Sequence, residues 1–134
     1  MRILIDTHIA LWAIAQSDRL SDKARALLES GSNAIFYSIA SVWEVAIKHA
    51  INPTNMPMPE ERFVELCDAT GFTQLSINAE HIFAIKSLRR PPEAPRHNDP
   101  FDRVLIAQAK TEGLTFLTHD SLLPHYGESC ILHC

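Results

Sequence analysis

A central parallel sheet flanked by helices, built as a single α/β domain, is the fold class this sequence predicts. Three observations predict it. Short apolar runs alternate with longer helical patterns, as strand and crossover helix must where neighbouring strands run parallel. Glycine, proline and helix-capping residues punctuate most of the changes between them. The length of 134 residues, 46% of them hydrophobic, suits one core, since compact domains hold about 100–150 residues; residues 1–134 therefore read as one domain.

Residues 2–5 form a short apolar strand, and residues 7–15 a helix. The pattern over 20–30 is a second helix, with Ser21 as N-cap, Ala24, Leu27 and Leu28 as its stripe, and Gly31 as its stop. Residues 34–37 are the next strand. Ser38 then caps a helix running to residue 50, whose buried side is expected to carry Ile39, Val42, Trp43, Ala46, Ile47 and Ala50. Residues 52–59 are a Pro-rich loop, and Pro59 opens a helix through residue 70 from its first turn. A strand is expected over 72–77, then a helix capped by Asn78 and running to 88 on the stripe Ile82, Ile85 and Leu88. Residues 89–98 are a second Pro-rich loop. Residues 100–112 are strongly amphipathic and stop at Gly113, and strands follow at 114–118 and 130–133.

Charge and cysteine usage narrow the function classes. Twelve Lys and Arg against 16 Asp and Glu, a formal −4, exclude a bulk-basic nucleic-acid coat. Asp6 and His8 interrupt the N-terminal apolar stretch, which is too short for a membrane span and reads as strand and helix, not as a signal peptide. Cys67, Cys130 and Cys134 follow no zinc or disulfide spacing and are expected as small core residues in a cytoplasmic protein.

Open parallel sheets gather chemistry beyond the carboxyl ends of their strands. Asp6, Glu44, Asp99, Asp102 and Asp120 all fall at such places. Each has a structural role available. Asp6 and Asp99 are well placed as helix caps, Asp102 completes an acidic first turn, Glu44 stands four residues before Lys48, and Asp120 suits a turn. Taken together they call for more, because carboxylates brought together repel unless a cation neutralises them. Mg²⁺ and Mn²⁺ prefer carboxylate and water oxygens, and such a site does phosphate chemistry.

The segments 4–8 (Leu-Ile-Asp-Thr-His), 41–48 (Ser-Val-Trp-Glu-Val-Ala-Ile-Lys), 99–109 (Asp-Pro-Phe-Asp-Arg-Val-Leu-Ile-Ala-Gln-Ala), 112–114 and 118–120 (Thr-His-Asp) together resemble a PIN domain. The nearest resemblance is to VapC-type toxins of type II toxin–antitoxin modules, over essentially the whole chain. It implies an endoribonuclease dependent on Mg²⁺ or Mn²⁺, acting on structured RNA, dimeric, and neutralised by a cognate antitoxin. By position, Asp6, Glu44, Asp102 and Asp120 match the family's catalytic metal-site acids. Asp99 matches a further acid, ligand or cap, and Thr118 a supporting hydroxyl. Residues 52–59 and 89–96 depart from the family's usual loops, which bears on RNA preference.

Metal-assisted hydrolysis would leave a 5′-phosphate and a 3′-hydroxyl. Five of the twelve cations fall within residues 86–103, and Arg96, His97 and Arg103 are the candidates for RNA phosphate contact. Trp12, Trp43 and Phe101 follow helical stripes and are expected to pack rather than stack on bases. Three other readings compete. A histidine-driven cleavage without metal has little support from the spacing of the seven histidines. An aspartyl-phosphate phosphatase needs a second Asp where His8 stands. A non-catalytic PIN-like module binding RNA or protein leaves the full set of acids without a purpose.

Overall fold

The computed structural model of the chain describes residues 1–134. Five strands form one all-parallel sheet: β1 (Arg2–Ile5), β2 (Ala34–Ser38), β3 (Thr73–Leu75), β4 (Thr115–Thr118) and β5 (Ile131–His133). Six α-helices connect them: α1 (Thr7–Ile14), α2 (Asp22–Glu29), α3 (Ile39–Ile51), α4 (Glu60–Ala69), α5 (Ala79–Ala84) and α6 (Pro100–Glu112). The strand order is β3-β2-β1-β4-β5, with Leu4 beside Phe36 on one side and Phe116 on the other. The chain thus winds outward one way from β1 and returns to build the other half. The crevice between the carboxyl ends of β1 and β4 is the switch point at which such sheets place ligands.

Period-two alternation in β1 divides the interior. Ile3 and Ile5 face a cluster with Ile9, Ala24, Phe63 and Cys67, whereas Leu4 faces Leu105, Ile106, Phe116 and Leu123. Helices α1, α2 and α4 cover the first face, and α6 with the start of α3 covers the second. All three cysteines are free; Cys67 is buried in the core, and Cys130 and Cys134 are half-buried. No helix is long and apolar enough to cross a membrane.

Caps decide most boundaries. Ser21 Oγ accepts from Ala24 N at 3.1 Å, so α2 begins at Asp22 and ends at Glu29 before Gly31 is reached. Ser38 Oγ accepts from Ala40 N and Asp99 Oδ1 from Phe101 N, while Gly113 takes a left-handed φ of 68° to end α6. Pro59 stands at the N-cap of α4, one residue outside its expected first-turn place.

Two helical stripes differ from expectation. In α3 the fully buried side is Ala40, Ser41, Glu44 and Val45, while Trp43 is 58% exposed and Ala50 is also exposed. Trp43 meets Phe101 edge-on at 5.1 Å. In α5 the buried residue is His81, and Ile82 is 49% exposed. The reason is hydrogen bonding: His81 completes a capping box with Asn78, and its Nε2 lies 2.8 Å from Glu112 Oε1 on α6. Helix α5 also ends at Ala84, and Ile85–Ser87 tighten into a 3-10 turn. A further 3-10 turn, Leu123–Tyr126, was not expected from the sequence.

Candidate functional site

Asp6 leaves the end of β1 and caps α1, its Oδ1 accepting from His8 N at 2.9 Å. Thr118, closing β4 beside it, donates to Asp6 Oδ2 at 2.6 Å and accepts from Asp120 N at 3.0 Å. One hydroxyl therefore fixes the first acid and the turn that carries the last. Glu44 reaches the same edge from α3 and is buried, where Thr7 Oγ1 donates to its Oε1 at 2.8 Å. Thr7 Oγ1 also lies 2.7 Å from Ser41 Oγ. The Lys48 pair expected on the surface exists, but its carboxylate is only 4% exposed, so it is half inside the site. Burial opposes the Lys48 charge, yet the bond to Glu44 and the charges of Asp99 and Asp102 hold its pKa above the usual range.

Asp102 arrives from the first turn of α6, and two contacts couple that helix to the rest. Ser38 Oγ donates to Gln108 Oε1 at 2.6 Å, and Gln108 Nε2 donates to Ser76 O. The residue that caps α3 is therefore also tied to α6, which fixes Glu44 relative to Asp102. Asp99 stands at the N-cap, its Oδ1 accepting from both Phe101 N and Asp102 N. Of the two roles open to it, the cap is the one the geometry displays.

The electrostatics are those of carboxylates held close together. Burial raises the pKa of Asp102 to about 8, with the charges of Asp6, Asp99, Glu44 and Asp120 adding to it. Asp6 is also raised, first by burial; its bonds from Thr118 and His8 pull the other way, and Glu44 adds to the rise. Buried oxygen donors that repel one another fit a divalent cation, which would remove the repulsion.

The three residues expected to contact RNA phosphates differ in placement. Arg96 is exposed. Arg103 is half-buried, reaches Ile85 O at 3.4 Å, and its Nε is buried without a partner. His97 departs furthest from expectation: its side chain is 5% exposed, with Nε2 3.0 Å from Asp102 Oδ2 and Nδ1 2.8 Å from Tyr126 Oη. Burial and the cations Arg90 and Arg103 lower its pKa. His97, Asp102 and Asp120 bring one donor atom each within 4.8 Å of one another. Asp6 and Asp120 also line a cavity of about 310 Å³, together with His8, Trp12, Arg19 and His119. Thr7, Ser41 and Tyr126 were missed from sequence; the only signal for the first two is their nearness to Asp6 and Glu44.

A PIN-domain family model matches residues 3–128. Among solved structures, the chain is similar to one in VapBC2 from Rickettsia felis bound to a promoter DNA fragment, at 18% identity and a TM-score of 0.64, covering 100% of this chain and 98% of that one. It is also similar to a chain of a toxin–antitoxin complex from Klebsiella pneumoniae, at 20% identity and 0.61, covering 97% and 95%. A third likeness is to FitAcB from Neisseria gonorrhoeae, at 16% and 0.60, covering 98% and 96%. No curated protein matches the chain. At these identities the structures speak for the fold.

Proposed function

Since the chain belongs to the PIN-domain family, we propose that it is a VapC-type toxin, an endoribonuclease that hydrolyses RNA phosphodiester bonds with a Mg²⁺ or Mn²⁺ site. The observation that carries this reading is the convergence of Asp6, Glu44, Asp102 and Asp120, from four separate elements, at the switch point of the sheet, with Asp102 in the field of the other three. These four residues would hold the metal. When bound, it lowers the pKa of a water and stabilises charge on the phosphate and the leaving oxygen.

The chain's own residues supply orientation. Thr118 presents Asp6 and anchors the Asp120 turn, Thr7, itself bonded to Ser41, presents Glu44, and the Ser38–Gln108 contact sets the spacing between α3 and α6. Lys48 beside Glu44 places a cation at the rim, where a substrate phosphate would approach. Arg96, exposed and adjacent to His97 along the chain, is assigned the same purpose.

The reading extends to a cognate antitoxin, a cytoplasmic setting and a homodimer. The neighbours' toxin–antitoxin assemblies support the first. For the dimer the support is apolar surface: Trp43 and Ile51 on α3 are 58% and 78% exposed, and Phe83 on α5 is 62% exposed. Leu11, Trp12 and Ile14 of α1 and Leu27 and Leu28 of α2, also apolar, are partly buried against the core.

The test is RNA cleavage by purified protein with Mg²⁺ or Mn²⁺, with excess EDTA, and with Asp6→Asn. Cleavage that requires the ion, leaves 5′-phosphates and disappears in the variant is the expected result. Equal cleavage in EDTA would favour histidine chemistry, and folded protein without cleavage would favour a binding module.

A further inference from the structure

Resting on that reading of the site, we infer that His97 is a nitrogen ligand of the metal, so that the site selects Mn²⁺ and other first-row transition ions over Mg²⁺. The geometry comes first. His97, Asp102 and Asp120 each bring one donor atom within 4.8 Å of the others from three different segments: the Pro-rich loop, the first turn of α6 and the turn after β4. Two donors about 2.1 Å from an octahedral ion and at right angles stand about 3.0 Å apart. Nε2 and Oδ2 are 3.0 Å apart, the separation two such donors take on one ion.

The imidazole is held for this purpose by the loop around it. Arg90 donates to Leu122 O at 2.7 Å and to Pro95 O at 2.6 Å, strapping the loop to the turn beyond β4. Its guanidinium also lies 4.7 Å above the Tyr126 ring. Tyr126 in turn meets His97 Nδ1 at 2.8 Å and packs edge-on against the imidazole. A metal-binding histidine needs its other ring nitrogen hydrogen-bonded, which fixes tautomer and ring orientation. A tyrosine hydroxyl is suited to this because it donates or accepts. Nδ1 stays satisfied whether the proton sits on it, as metal binding at Nε2 requires, or on Nε2.

Selectivity follows from ligand chemistry. Mg²⁺ takes oxygen ligands and keeps its waters, whereas imidazole suits first-row transition ions such as Fe, Ni, Cu and Zn; Mn²⁺, the weakest binder of that series, shares the oxygen preference of Mg²⁺ but accepts a nitrogen ligand more readily. Asp6, Glu44 and Asp120 alone would offer only oxygen and would not separate the two ions.

Pulsed electron paramagnetic resonance of the Mn²⁺-loaded full chain reads the ligand directly, and calorimetric titration with MnCl₂ and MgCl₂ reads the preference. Wild type is expected to show an imidazole ¹⁴N coupling that His97→Gln lacks. Mn²⁺ affinity should fall at least about tenfold in that variant, with Mg²⁺ affinity changing much less and circular dichroism unchanged. Tyr126→Phe should retain the coupling with weakened Mn²⁺ binding. A wild-type spectrum without ¹⁴N coupling, a coupling that persists in His97→Gln, or equal losses for both ions would overturn the inference while leaving the metal-nuclease reading intact. A wild-type chain that binds neither ion would overturn both.

Discussion

Asp102 is the residue whose environment departs furthest from its sequence. In the unfolded chain it titrates near 3.8, and in the fold near 8. Between those values the unfolded state has lost a proton that the folded state keeps, so stability contributed by this group falls as pH rises from about 4 to about 8. Without divalent ions the protein should therefore melt at a lower temperature at pH 8 than at pH 5, and Mn²⁺ should raise the melting temperature more at pH 8. Melting curves that are flat across this range would contradict the buried-acid arrangement. Asp99 admits a similar separation of roles. As a cap, Asp99→Ala should cost about 1 kcal/mol of stability, while Asp99→Asn, which caps equally well, should restore it and leave cleavage intact. Loss of cleavage in the Asn variant at full stability would make it a ligand. The candidate acids were legible because strand ends and cap positions are local features. The surroundings of Glu44 and His97 were not, because Thr7 reaches Glu44 across 37 residues and Tyr126 reaches His97 across 29, through tertiary contact.

Helix phase is where local pattern and structure part. In α3, Trp43, Ile47 and Ala50 share a side by helical spacing, and hydrophobicity alone turned that side inward. The fold instead buries Ala40, Ser41, Glu44 and Val45, because small residues admit the close approach of β2 and α6 and the carboxylate belongs to the site. In α5, His81 rather than Ile82 is buried because its two ring nitrogens meet the Asn78 amide and the Glu112 carboxylate. The helix ends were read better, since caps act through neighbouring backbone. Gly113 is one such end. Its φ of 68° disfavours any side chain although nothing crowds the position, so Gly113→Ala should lower stability by about 1–2 kcal/mol, measured by denaturant unfolding, with activity per folded molecule unchanged.

At the scale of the whole molecule, the sheet order makes the site. Outward winding from β1 in both directions puts Asp6 and Asp120 on adjacent strand ends and brings α3 and α6 to the same edge. Phe116 of β4, wholly buried beside Leu4 and Leu105, holds that junction from beneath, and Phe116→Ala should cost about 3–5 kcal/mol in unfolding measurements. The exposed side of α3 makes a second test. Ile51→Glu should shift the protein from dimer to monomer in light scattering, and an unchanged dimer would place the contact elsewhere. The sequence by itself determined the fold class, the order of elements, most caps and the acids, for these depend on residues near one another along the chain. The acidic excess is itself accounted for by Asp6, Glu44, Asp102 and Asp120, without which the formal charge is zero. Only the tertiary structure decided which face of α3 and α5 is buried and that His97 turns toward Asp102. Those outcomes depend on which distant polar groups arrive alongside, and burial makes their hydrogen-bonding demands outweigh hydrophobic periodicity.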